Sequence, residues 1–359
     1  MSAIINPLAN PKGANKLCEL CEKPAYIQCT KCYVTFYCDA EHQRADWVSI
    51  HSKVCQLLIP VRTAVPYYTL QADREHHRAQ ILQRQEQLML IARTAAQKRL
   101  FEGSHRESLP ASLLSLRCAM DIYGSSAVHL VPPYLLLAEA NIGLGCLSAA
   151  EQYLSWADWT VLKTPGCSWM VRHQLHRCLG RLFVAKGNLE EALFHLANDV
   201  YYASEEYGLD NIVTCGGYYL MADVFIKQGK MDIVNTLYIQ LANTWHSHLC
   251  RLFESYTQGS IEPEEYLDEA QQVEADRMLR SMLDAPEGVP ERQPEQAAVL
   301  THALALLWLL GGDREKALEF GTKALSSCQL VPDRSLTEPI QRLLQLAQAE
   351  DNPSDADES

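Results

Sequence analysis

From about residue 80 onward, apolar residues recur every three or four positions almost without interruption, and runs that alternate apolar with polar residues are hard to find. A continuous period near 3.6 predicts an all-α region. Its punctuation is regular: Gly103, Gly145, Gly187 and Gly229 stand 42 residues apart. Around the last three, an aromatic or imidazole ring falls eleven positions earlier (Tyr134, His176, Tyr218), and a large-then-small pair eight and seven earlier (Leu137-Ala138, Leu179-Gly180, Met221-Ala222). A small residue follows five positions later (Ala150, Ala192, Val234) and a bulky one nine later (Leu154, Leu196, Tyr238). This pattern predicts antiparallel helix pairs. Glycine takes the left-handed conformation that ends the first helix, the small residues permit close approach, and the bulky ones fill the gap between pairs. A further unit covers Thr301 to Ala324, with Leu304-Ala305, Trp308, Gly311-Gly312 and Ala317, and a weaker one covers Gln85 to Tyr123.

These pairs resemble the tetratricopeptide repeat, whose unit is shorter at about 34 residues. Longer helices or extended loops are therefore expected, as at Lys163-Thr164-Pro165-Gly166 and Glu206-Tyr207-Gly208-Leu209. The expected organisation is a repeat region over 83–345 with a polar insertion near 259–293, in which Glu262 to Leu283 reads as a helix and Asp284 to Gln293 as a loop. A connecting segment (56–82), a flexible N-terminus (1–17) and an acidic disordered tail (346–359) complete it. In tetratricopeptide arrays the first helix of each pair lines a concave groove. The resemblance points Leu135, Leu136 and Glu139, then Arg177, Cys178 and Arg181, then Tyr219, Leu220 and Asp223 into that groove. The Lys and Asn residues that hold a C-terminal carboxylate in chaperone-binding arrays are absent there. The mixed lining suits an amphipathic helix or an extended protein segment, with Arg177, Arg181 and Tyr219 as the expected contact patch.

The N-terminal region carries a different chemistry. Cys18-x2-Cys21, Cys29-x2-Cys32, Cys38-x3-His42 and His51-x3-Cys55 are four bidentate half-sites, and two half-sites close one tetrahedral zinc. The segment is too short for a hydrophobic core of its own, so metal binding must supply most of its folding free energy, about 10–16 kcal/mol per structural site. The eight residues predict two structural Zn2+ ions.

The surrounding blocks sharpen this. Phe36-Tyr37-Cys38, His42-Gln43-Arg44-Ala45-Asp46-Trp47 and His51-Ser52-Lys53-Val54-Cys55 resemble the MYND-type zinc finger, with His42 where that family usually has Cys. The resemblance implies a cross-braced pairing: Cys18, Cys21, Cys38 and His42 on one zinc, and Cys29, Cys32, His51 and Cys55 on the other. It also implies a ligand. Related fingers bind Pro-x-Leu-x-Pro peptides along a small β-hairpin, which points to Tyr33, Thr35, Gln43 and Trp47. The expected fold class is a small zinc-stabilised MYND finger plus an all-α tetratricopeptide-like helical-repeat solenoid.

Charge then narrows the function. The finger carries Lys23, Lys31, Arg44 and Lys53 against Glu19, Glu22, Asp39, Glu41 and Asp46, which leaves no basic face for phosphates. The whole chain of 359 residues has a formal charge of -13, so neither nucleic acid nor acidic partners are expected. The first residues lack a signal-peptide stretch, and the longest greasy run, Ala303 to Leu310, is too short to span a bilayer, so an intracellular protein without membrane association is expected. The other seven cysteines are scattered singly and read as buried thiols in a reducing compartment. His246 and His248 beside Cys250 look like a metal pair, but a spacing of two does not face one side of a helix.

Motifs for a P-loop, a nucleophile elbow, a His-Glu-x2-His zinc site and a Rossmann fingerprint are missing. The finger also occurs in SET-and-MYND lysine methyltransferases, where it interrupts the catalytic domain. Here only 17 residues precede Cys18 and helical repeat follows, so a non-catalytic adaptor is expected. The layout of finger, repeats and acidic tail resembles non-catalytic MYND proteins of cilia and sperm flagella, and this implies axonemal or tetratricopeptide-type protein partners. The alternative is a nuclear corepressor adaptor that binds proline-rich peptides, although no basic nuclear-localisation run is evident.

Overall fold

The computed structural model describes residues 2–5, 16–64, 67–259, 267–284, 294–332 and 334–349. The expected loop over 285–293, the first part of the insertion helix and the tail beyond 349 lie outside them. The chain divides into two compact units, residues 1–178 and 179–359.

The first unit opens with a three-stranded antiparallel sheet in the order β1 (Ser2–Ile4), β2 (Ile27–Cys29), β3 (Phe36–Tyr37). Strand β1 lies in the segment expected to be flexible. It is ordered by pairing with the outer edge of β2, Ser2 opposite Cys29 and Ile4 opposite Ile27, and by burial of Ile5, whose N–H donates to the Tyr26 carbonyl at 2.9 Å. Helix α1 (Ala40–Asp46) is capped by the Asp39 carboxylate, continues through a π-helical stretch at Trp47–His51, and leads to α2 (Ser52–Val54) and α3 (Ile59–Arg62).

The repeat region begins earlier than expected, with α4 (Gln71–Phe101), followed by α5 (His105–Tyr123), α6 (Val131–Gly143) and α7 (Leu147–Lys163). Helix α8 (Trp169–Lys186) spans the unit boundary. The second unit holds α9 (Leu189–Tyr207), α10 (Ile212–Lys227), α11 (Met231–Thr257), α12 (Glu269–Leu283), α13 (Pro294–Leu310), α14 (Arg314–Cys328) and α15 (Thr337–Ala349). Among the described residues no helix is long and apolar enough to cross a membrane.

The glycine pattern has its expected cause. Gly103, Gly145, Gly187 and Gly229 all have φ between 73° and 79°. At each, the next residue's N–H reaches back to a carbonyl five residues earlier, as Cys146 does to Asn141 at 2.8 Å, so the first helix is closed by a Schellman turn. Asn188 and Asp313 then cap the second helix of their pairs with their side chains. The small and bulky repeat positions are buried: Ala138, Ala150, Ala192, Ala222 and Val234 are fully buried, as are Leu154 and Leu196.

A second series is superposed on the first. Gly124, Gly166 and Gly208, again 42 residues apart, have φ of 83°, 69° and 92° and lie just past the ends of α5, α7 and α9. The next position in register is Cys250, which is not a glycine. Helix α11 accordingly runs straight through it and ends only at Thr257.

The groove assignment needs correction. Leu135, Leu136 and Cys178 are buried rather than groove-facing, and α6 and α13 are covered on almost all sides. Helices apolar around most of their circumference, as these two are, bury both faces between neighbours.

Candidate metal centre

The finger's short strands and turns hold the first two Cys pairs; Cys38 lies between β3 and α1, His42 on α1, His51 at the end of the π-helical stretch and Cys55 just past α2. One donor atom each from Cys18, Cys21, Cys38 and His42 lies within 4.8 Å of the others, and the same holds for Cys29, Cys32, His51 and Cys55. This is the cross-braced pairing. Zinc bound tetrahedrally, with Zn–S about 2.3 Å and Zn–N about 2.0–2.1 Å, requires S···S edges of about 3.8 Å and S···N edges of about 3.6 Å. In the first group Cys21 Sγ to Cys38 Sγ is 3.7 Å, Cys18 Sγ to His42 Nδ1 is 3.4 Å and Cys38 Sγ to His42 Nδ1 is 3.1 Å. In the second, Cys29 Sγ to Cys55 Sγ is 3.9 Å and Cys32 Sγ to His51 Nε2 is 3.7 Å. The donors are spaced for two structural zinc ions, with every coordination position filled by protein.

The two sites differ in their surroundings. All four ligands of the second are buried, whereas in the first only Cys18 is. His51 presents Nε2 to the ligand set and Nδ1 to the buried Asp46, 3.6 Å away, and Asp46 in turn accepts a 2.6 Å hydrogen bond from the fully buried Tyr37 hydroxyl. A carboxylate behind a ligating imidazole fixes its tautomer and orientation. Burial keeps His51 neutral, lowering its pKa to about 4, as a ligand must be. Burial also raises Cys55 to about 12, assisted by the neighbouring Cys32 and Cys29. Cys29 is lowered: burial opposes this, but the backbone N–H groups of Cys32 and Lys31 favour the thiolate. Thiolates this close repel one another, and a divalent cation is the physical means of holding them together.

The finger is joined to the repeats rather than tethered beside them. Ile50, Val54 and Leu58 share one core with Leu88, Ala92, Leu100, Ala111 and Leu114 of α4 and α5. Glu19, between the first two zinc ligands, receives Arg62 Nη1 at 2.6 Å and Nη2 at 3.2 Å, and Arg117 Nη1 at 2.6 Å. Arg117 also donates to the Glu19 carbonyl. Neither contact was visible beforehand, because Arg117 is 98 residues from Glu19 and nothing local pairs them.

Of the four residues expected to meet a peptide, only Tyr33 is well exposed, at 61%. Trp47 is half-buried, with Lys31 Nζ 4.7 Å from its ring centroid and its ring 5.6 Å from that of His51. Thr35 is buried, its hydroxyl 3.2 Å from Cys32 Sγ, and Gln43 is buried too. Thr35 and Trp47 thus pack against ligands of the second site. Arg177, Arg181 and Tyr219 are half-buried rather than exposed. The Tyr219 hydroxyl lies 2.8 Å from Ser281 Oγ on α12, so this ring holds the insertion helix.

With this geometry in place, residues 18–55 match the family model of the MYND finger, from the first zinc ligand to the last. The chain thus carries a MYND zinc finger followed by an all-helical region. Among solved structures it is similar to the crystal structure of BtubC (BKLC) from P. vanneervenii, at 15% identity and a TM-score of 0.33, over 74% of this chain and 96% of that one. At that distance the likeness bears on neither fold nor function.

Proposed function

We propose that this protein is a non-catalytic interaction scaffold in which a MYND finger, locked onto the first helix pair, presents a composite protein-binding surface. The observation that carries this reading is the closed ligation of both sites: four protein donors leave no position for a catalytic water. The shared core and the Glu19 clamp add that the finger acts as part of a rigid platform.

The finer reading rests on layout. An N-terminal finger, helix pairs and an acidic tail are similar to the zinc finger MYND domain-containing protein numbered twelve, which supports a role in the axoneme of cilia or sperm flagella, in assembly or motility, with axonemal or tetratricopeptide-type proteins as partners. The second reading is a nuclear corepressor adaptor binding proline-rich peptides, favoured by the exposed Tyr33 ring beside the hairpin. Against it, a peptide adding as a strand to β2 meets β1 already paired there. Kinship to lysine methyltransferases is the least supported reading.

Imaging and proximity labelling of the tagged full chain in a ciliated cell test the choice. Axonemal signal with labelled axonemal proteins supports the first reading, and nuclear signal moves the assignment to the second. Stoichiometric S-adenosylmethionine binding in calorimetry would sink the non-catalytic reading altogether.

A further inference from the structure

His246 and Cys250 stand four residues apart on α11 and so share one face of that helix. Helix α13 brings His302 against them. His246 Nε2 lies 2.9 Å from His302 Nδ1 and 3.6 Å from Cys250 Sγ, and one donor atom from each of the three falls within 4.8 Å of the others. The sequence reading set aside His246 and His248 as a metal pair, and it is His302 that stands beside His246 and Cys250. His248 is two residues along and faces elsewhere, with its ring 6.2 Å from that of Trp245.

Three features set this cluster apart from ordinary core histidines. First, the N···S separation equals the edge of a tetrahedral zinc site, about 3.6 Å, and the two imidazoles need to part by only about half an ångström to reach the N···N edge of about 3.4 Å. Second, His302 is 1% exposed within a helix of Leu and Ala, and it turns its Nδ1 toward the other two donors, 2.9 Å from His246 Nε2. Burying an imidazole among aliphatic side chains is costly, and coordination through Nδ1 would contribute free energy directly to folding. Third, Cys250 occupies the position at which the preceding repeats carry their second glycine. The departure from the repeat both extends α11 by two turns and supplies the thiol.

We propose that His246, Cys250 and His302 form a third metal site, a two-imidazole, one-thiolate set for a thiophilic cation such as zinc, with water completing the tetrahedron. The donor types exclude magnesium and calcium, which take oxygen ligands. His246 and Cys250 are half-buried, so the fourth position opens toward solvent, and Glu254 lies one turn further along the same face. With three protein donors instead of four, the site differs in kind from those of the finger: its fourth ligand is exchangeable. A cation there would fasten α11 to α13, the helices on either side of the insertion in the chain.

The test is metal content of the full chain, purified without chelator and dialysed against a low concentration of free zinc. Three equivalents per chain are expected for the wild type and two for both Cys250→Ser and His302→Leu, each with an unchanged helical circular dichroism signal. Cys250→Ser alters a half-exposed side chain and guards against a folding failure in the core variant. Cobalt loading adds a second readout: the thiolate-to-cobalt absorption per chain should fall in Cys250→Ser while the finger's contribution remains. Two equivalents in the wild type overturn the proposal, as does a third equivalent that survives either substitution.

Discussion

The clamp between the finger and the first helix pair makes the sharpest prediction, through the substitution Glu19→Gln. Glutamine keeps the shape of the side chain and one carbonyl acceptor, but removes the charge that faces two guanidinium groups. Stripping one partner from a buried ion pair costs about 3–5 kcal/mol. Here the Arg62 and Arg117 side chains are 24% and 30% exposed, and Glu19 is 14% exposed. Solvent therefore recovers part of the lost interaction, and about 2 kcal/mol is the expected cost. At about 1.4 kcal/mol per factor of ten, local opening of the finger should rise about 30-fold. Native-state hydrogen exchange of the zinc-loaded full chain reads this directly in peptides from residues 16–64, since it reports sub-global opening rather than one global transition. Exchange in α9–α15 should not change. Arg117→Ala should reproduce part of the effect, and the double variant should be clearly non-additive. A change below about threefold, or additive behaviour, would refute the claim that this network holds the finger in place.

Both finger zinc ions should be removable, but not together: metal binding requires deprotonated ligands, so the half-exposed site of Cys21, Cys38 and His42 should release zinc first as pH falls or chelator is added, and simultaneous release would contradict the difference in burial. Gly145→Ala, at φ 74°, should cost about 1 kcal/mol from left-handed strain alone, and an unchanged melting temperature would refute the Schellman turn. Gly180→Ala acts differently: its added Cβ falls 2.7 Å from the Leu196 side chain, so about 1–3 kcal/mol of overpacking is expected in the second unit. Tyr219→Phe should weaken the hold on α12 by about 1 kcal/mol, seen as faster exchange in residues 269–283, whereas no change would mean the Ser281 contact contributes nothing.

Two things were legible in the sequence because their causes are local. Zinc ligands at x2 and x3 spacings are constrained by the reach of a few bonds, so Cys18, Cys21, Cys29, Cys32, Cys38, His42, His51 and Cys55 declare themselves without a fold. The 42-residue glycine period is likewise local, since each turn needs a left-handed residue at its own position. The second series at Gly124, Gly166 and Gly208 was equally available and marks the ends of the second helices; its interruption at Cys250 announces the long α11.

What only the tertiary structure decided involves partners distant in the chain. Which faces are buried depends on neighbouring helices, so Leu135, Leu136 and Cys178 could pass for groove residues, and Thr35 and Gln43 for peptide contacts, until packing enclosed them. Glu19 meets Arg117 across 98 residues, and His246 meets His302 across 56. Nothing in either segment specifies the other. Long-range pairings of this kind are set by the summed burial of whole helices, which brings together side chains whose own interactions are too weak to have selected them.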